Sequence, residues 1–311
     1  MHNVVFISSI GDAEYHSIGR VLIESIRYNS PNPNYDLVWF MDGEEVDMSD
    51  VDCITERVTA PVMPNPFNYP DTFVSGCAMK IICAEYLQQR GYKRAVSIDF
   101  DTIVNIDLNA LFDLDMNDIE IAGVSGCGCA MFSHYSEKLP KIRDIGDTTS
   151  NPDMFCNKPE TDEAICKRKF NGGLYVFNMD MCVFNDYVEL YKSNPMRNND
   201  EDYVERTFTK KMMLPRELNY FVLFGDQLIR QNPALYKKIN HDAYSASIMH
   251  YQYVSKPFHF EGPGNLNNEL HSPVKYFKYF DRVRDKMPDV FCDNVDAFKR
   301  YYNDELIMRL R

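Results

Sequence analysis

Short β-branched and aromatic runs alternate along the chain with longer stretches whose apolar residues recur at helical spacing. Residues 3–10, "NVVFISSI", read as an opening strand, and Ile18, Val21, Leu22 and Ile26 then mark one helical face that Pro31 and Pro33 end. "YDLVWFMD" and "VDCITERV" read as a second and a third strand. "APVMPNPFNYP" is a proline-rich loop. From Ser75 to Gln89 the spacing is again helical, with Met79, Ile82, Cys83, Tyr86 and Leu87 as its apolar face and Gly91 as its stop. Strand, helix and strand in this order predict a parallel α/β sheet.

"RAVSIDFDTIV" then reads as a central strand, "IEIAGVSG" as another, and "FNGGLYVFNMD" as a strand opened by two glycines. Residues 138–169 are polar with no sustained period, and read as a long surface excursion of the kind that covers sites in α/β enzymes. "FVLFGDQLIRQN" runs from a strand or turn into a helix, "SASIMHYQYVSKPF" is a late strand and loop, and the aromatic, charged C-terminal part reads as helices.

Composition narrows the function more than the fold. With 311 residues, 45% of them hydrophobic, the chain can bury one large core. Its net charge of -13 and pI near 5.0 argue against nucleic acid or an anionic membrane as the main partner. Nine scattered cysteines point to a reducing, cytoplasmic setting, and Cys127 and Cys129 in "SGCGCA" read as ordinary thiols. No run is apolar enough to span a bilayer.

Asp99 and Asp101 are the anomaly in this pattern. In an extended strand they share one face, and two buried carboxylates that close repel unless a cation lies between them. A hard divalent ion would explain them, and so would a strand already ended, with Asp101 capping a turn. In parallel sheets ligands bind beyond the carboxyl ends of the strands, where this pair falls, and a metal there could hold a diphosphate.

"SIDFDTIV" resembles the Asp-x-Asp motif of glycosyltransferase family 8, which contains glycogenin and bacterial galactosyltransferases, and further blocks follow in the family's order. In "AMKIICAEYLQQRGYKRAVSIDFDTIV", Lys80 matches a basic residue that reaches the sugar nucleotide. In "FISSIGDAEYHSIGRVLIESI", Tyr15 matches the aromatic that stacks on the base, with Ser8 and Ser9 near the nucleoside. "FNGGLYVFNMD" is similar to the Phe-Asn-Ser/Thr-Gly block, which gives Asn171 a polar contact to donor sugar or acceptor and Gly172 and Gly173 close backbone approach. "FGDQLIRQN" is similar to a Gly-Asp-Gln turn, placing Asp226 and Gln227 at the reacting face. "HYQYVSKPF" resembles His-x-x-Gly-x-x-Lys-Pro-Trp, so His250 corresponds to the third metal ligand beside Asp99 and Asp101, and Lys256 to the lysine at the departing diphosphate. Tyr253 stands where that pattern has glycine, and Phe258 where it has tryptophan.

The resemblance covers roughly residues 3 to 260. It implies a mixed, mostly parallel GT-A fold over 1–260, while 261–311 lie beyond the match and read as a helical C-terminal extension packed on the same domain. It also implies a UDP-sugar donor, Mn²⁺ (or Mg²⁺), retention of anomeric configuration and a carbohydrate or glycoprotein acceptor, and it is compatible with a homodimer. The alternatives are a catalytically weak or silent sugar-nucleotide-binding module and, ranked lower, a sugar nucleotidyltransferase, since no glycine-rich basic loop follows the first strand.

Overall fold

The computed structural model describes residues 2–126, 170–196, 199–222, 234, 236–251 and 274–303. β1 (Asn3–Gly11) pairs in parallel with β2 (Asp36–Gly43) on one side and with β4 (Arg94–Ile98) on the other. β3 (Ile54–Arg57) extends the parallel edge beyond β2. β7 (Phe170–Asn178) is antiparallel to β4 and to β6 (Ile121–Ser125), and β8 (Lys211–Leu214) adds in parallel to β6. The result is a seven-stranded sheet in the order β3-β2-β1-β4-β7-β6-β8, mostly parallel with β7 reversed.

Helices cover both faces of this sheet, as they must where its strands are apolar on both. α1 (Ala13–Asn29) packs on one face through Leu22, Ile23 and Ile26 against Val5, Ile7 and Trp39. α2 (Asp71–Gln89) packs on the other through Val74, Ala78 and Ile81 against Val4, Phe6 and Phe40, joined there by α4 (Tyr187–Ser193) and α5 (Asn199–Thr207). α3 (Asn109–Phe112) is a single turn whose Leu111 and Phe112 join the core on the α1 side.

α2 starts four residues earlier than the spacing of apolar residues predicts, at Asp71 directly after Pro70, and its buried set differs. Ala78, Ile81 and Ala84 are buried, whereas Tyr86 is 42% exposed. The physical reason is two-sided cover: sheet on one side and α5 on the other bury more than one row of the helix, Lys80 included.

A second sheet places the site. "SIDFDTIV" is not one strand: β4 ends at Ile98, residues 99–101 turn, and β5 (Thr102–Val104) belongs to a three-stranded sheet ordered β5-β10-β9. Here β10 (Ile248–His250) is antiparallel to β5, with His250 opposite Thr102, and parallel to β9 (Tyr220–Phe221). The pairing to β10 breaks the chain's path out of the main sheet and folds the acidic turn back.

α6 (Tyr236–Ser245), α7 (Val274–Val283) and α8 (Asp289–Tyr301) close a core over that second sheet. Ile18 and Val21 of α1 lie in the same core, so these C-terminal helices are joined to the N-terminal half by shared apolar packing. The predicted surface excursion at 138–169 and the cysteines Cys127 and Cys129 lie outside the described residues. No helix among the described residues is long and apolar enough to cross a membrane.

Candidate active site

The acidic turn stands between the two sheets, and the second sheet brings His250 onto it. His250 Nε2 lies 3.2 Å from Asp101 Oδ1 and 3.7 Å from Asp99 Oδ2. The backbone holds this approach: Tyr251 N–H donates to Asp101 O at 3.0 Å, Asp99 N–H donates to Gly173 O at 3.2 Å, and the Thr102 hydroxyl donates to Asp99 O at 2.8 Å. Ligand atoms of Asp99, Asp101 and His250 all fall within 4.8 Å of one another. Two carboxylates and an imidazole are a donor set that suits a divalent cation, so the residues present fit such an ion.

Gly173 makes room for the histidine. A Cβ there would collide with the His250 ring, its Cε1 atom at 2.6 Å, and with Asn219 Nδ2 at 2.8 Å. Gly172 is equally confined, since a Cβ would meet Lys80 Nζ at 2.9 Å and run into Asp200. The two glycines that open β7 are therefore required by close approach.

Lys80 brings a buried positive charge to these acids. Its Nζ lies 2.6 Å from Asp99 Oδ1 and 3.1 Å from Asp200 Oδ2, and it donates to Gly172 O at 2.7 Å. The ammonium is thus surrounded by two carboxylates and a backbone carbonyl. Burial works against its charge, but Asp200 and Asp99 outweigh that effect and raise its pKa. Burial also raises the Asp99 carboxyl above its ordinary value, with Lys80 and His250 opposing and Asp101 and Asp200 adding to the rise. The Asp99 side chain keeps 25% of its surface open, against 9% for Asp101 and 4% for His250, so it is the most accessible of the three.

Asp200 and Glu201 are the residues that the sequence reading missed. In "NNDEDYVE" they look like a solvated acidic first turn, yet Asp200 is 4% exposed and meets both Lys80 and the Tyr175 hydroxyl, at 3.2 Å. Glu201 Oε1 accepts from Asn171 Nδ2 at 2.9 Å and from Gly172 N–H at 3.2 Å. Asn171 Oδ1 accepts from Gly173 N–H and from Asn219 Nδ2, both at 2.9 Å, and Asn219 Oδ1 lies 3.1 Å from His250 Nδ1. No local spacing marks Asn219, because it reaches the site only through the turn between β8 and β9.

Tyr15 enters from α1. The Asp12 side chain caps that helix by accepting from Tyr15 N–H at 2.8 Å, and the Tyr15 ring lies 4.5 Å from Phe100, between the two aspartates in sequence. Burial, then Asp101 and Asp99, raise the phenol's pKa, which keeps it un-ionised beside the acids. Phe6 pairs with Ser97, so Ser8 and Asp99 both lie two residues further toward the carboxyl ends of their strands. Ser8 is half-buried on the α2 side of the sheet. Ser9 points to the other side, where its hydroxyl meets His16 Nδ1 at 2.8 Å and accepts from Trp39 Nε1 at 2.9 Å. Of the expected site residues, Tyr15, Lys80, Asp99, Asp101, Asn171 and His250 are thus brought together, and Ser9 is engaged in the helix-sheet interface. Asp226, Gln227, Tyr253, Lys256 and Phe258 lie outside the described residues.

A family model described as "Glycosyl transferase family 8" matches residues 7–262. The chain belongs to this family. Three solved structures are similar to this glycosyltransferase in fold. The galactosyltransferase LgtC, in complex with donor and acceptor sugar analogs, has a TM-score of 0.56 at 14% identity, covering 94% of this chain and 99% of its own. The bifunctional glycosyltransferase WbbM has 0.53 at 20% identity, and this chain spans 51% of its length while 90% of this chain is covered. GlyE from Streptococcus pneumoniae TIGR4 has 0.53 at 12% identity, covering 98% of this chain and 64% of its own. The fold is thus that of GT-A glycosyltransferases. No match was found among curated protein sequences.

Proposed function

We propose that this glycosyltransferase moves a hexose from a UDP-sugar to a hydroxyl of a carbohydrate or glycan-bearing acceptor, with retention of anomeric configuration and dependence on Mn²⁺ or Mg²⁺. The observation that carries the reading is the convergence of Asp99, Asp101 and His250, from two different sheets, on one point beyond the carboxyl end of β4. These three residues would hold the ion, which when bound supplies charge neutralisation to a leaving diphosphate.

The chain's own groups then divide the work. Tyr15, braced on Phe100, offers a flat apolar surface to the uracil, and Ser8 a hydroxyl to the nucleoside. Lys80 is proposed to add positive charge on the side of the sugar nucleotide, and it also offsets Asp99 and Asp200 so that three carboxyl-bearing residues can share one site. Asp200 and Glu201 flank the glycine pair of β7 and form the acidic wall on the side where the sugar would fold back. Asp226 and Gln227 are proposed for the reacting face, where a carboxylate serves either as nucleophile or as electrostatic partner of an oxocarbenium-like state. Lys256 is proposed for the departing diphosphate.

A panel of UDP-hexoses assayed for UDP release with and without Mn²⁺ tests this reading. UDP release from at least one member in the presence of Mn²⁺ is expected. Absence of both binding and release across the panel would sink it.

A further inference from the structure

The hydrogen bonds that connect β7 to His250 have a direction, and the backbone sets it. Gly173 N–H can only donate, so the Asn171 atom it meets at 2.9 Å is the oxygen, and the amide nitrogen of Asn171 is turned to Glu201. Gly172 N–H, donating to Glu201 Oε1 at 3.2 Å, marks that atom as an acceptor and agrees with this orientation. Because Asn171 Oδ1 is an acceptor, Asn219 must present its nitrogen to it at 2.9 Å and its oxygen to His250. A carbonyl oxygen 3.1 Å from Nδ1 requires the ring to donate from Nδ1. The lone pair of the neutral ring then lies on Nε2, the atom that faces Asp99 and Asp101.

We propose that Asn219 is the positioning residue of the metal centre: through Asn171 it carries the polarity of the Gly173 backbone to His250 and holds the ring in the one tautomer that can ligate through Nε2. The inference rests on the metal site proposed above. Asn219 is 1% exposed and Asn171 and His250 are 7% and 3% exposed, so water does not compete for these bonds. Gly173 serves this relay at both ends. Its N–H pins the first amide, and its missing Cβ admits the last ring. Outer-shell partners of metal-bound histidines act in this way, and their loss typically lowers metal affinity about 10–100-fold.

Nitrogen-15 NMR of histidine-labelled protein freed of metal by chelation reads which ring nitrogen carries the hydrogen, with His250 assigned from His250→Gln. The wild type is expected to hold the hydrogen on Nδ1. Asn219→Leu, of similar size and without an acceptor, is expected to mix the two tautomers and to weaken Mn²⁺ binding, followed by electron paramagnetic resonance, about 10–100-fold. Hydrogen on Nε2 in the wild type, or an unchanged tautomer and Mn²⁺ affinity in Asn219→Leu, would overturn the inference. A wild type that shows the Nδ1 hydrogen yet binds no Mn²⁺ overturns instead the metal reading on which the proposal rests.

Discussion

Lys80 and Asp200, 120 residues apart in the chain, form a buried ion pair of 3.1 Å whose ammonium also lies 2.6 Å from the proposed metal ligand Asp99. One cation thus stands between the residue that faces the ion and the acidic start of α5.

Removing that cation leaves two buried carboxylates without their partner. Lys80→Met is expected to destabilise the metal-free protein by about 3–5 kcal/mol, the usual cost of breaking a buried pair from one side. Lys80→Met combined with Asp200→Asn is expected to recover a large part of the loss. Urea denaturation of the single and double variants checks this, and equal stability of the two would show that the pair does not act as a unit.

Space at Gly173 yields a second expectation. Gly173→Ala forces the His250 ring and Asn219 to move, at a cost of about 1–3 kcal/mol for overpacking, and should leave the fold in place while Mn²⁺ affinity falls. Circular dichroism together with Mn²⁺ titration separates the two effects. Unchanged Mn²⁺ binding would mean that the close approach of β7 to His250 has no bearing on the site.

The proposed base-binding role of Tyr15 separates ring from hydroxyl. Stacking of a base on an aromatic ring is worth about 1–3 kcal/mol, so Tyr15→Ala should weaken UDP binding about tenfold or more while Tyr15→Phe changes it little. Calorimetric titration of UDP in the presence of Mn²⁺ measures both. Equal losses in the two variants would assign the contact to the hydroxyl instead.

A buried lysine in the first turn of α7 makes stability depend on pH. Burial, then the neighbouring charge of Lys278, lower Lys275 to about 8. Its Nζ lies 3.3 Å from Ala246 O and 5.2 Å from the centre of the Tyr244 ring. A base whose folded pKa is lowered binds protons more readily when unfolded, so its penalty is full below pH 8 and is relieved as pH rises toward the unfolded lysine value. The stability difference between Lys275→Met and wild type should therefore favour the variant at pH 7 and shrink from pH 8 upward. A difference independent of pH across that range would contradict the burial of the ammonium.

The sheet, its parallel half and the flanking helices were legible because the strands are short continuous apolar runs, as burial on both faces requires, and α1 keeps an apolar stripe at helical spacing. Asp99 and Asp101 were legible as an anomaly, since charge in an apolar run is costly wherever the run ends. What was not legible depends on contacts across long separations. The break after Ile98 is made by the pairing of β5 with β10, about 145 residues further on, which no local pattern records. Asp200 looked like any acid at a helix start until Lys80 and Tyr175 closed over it. Asn219 lies in a short turn between two strands and acquires its role only from the orientation of Asn171.

The central claim is that Asp99, Asp101 and His250 hold one divalent ion that in turn holds a uridine diphosphate. Titration of UDP into wild type, Asp101→Asn and His250→Ala, each with Mn²⁺ and after chelation by EDTA, tests it most directly. Tight binding by the wild type with Mn²⁺, lost on chelation and lost in both variants, is the predicted result; UDP binding that is indifferent to Mn²⁺ and to both substitutions would contradict the account.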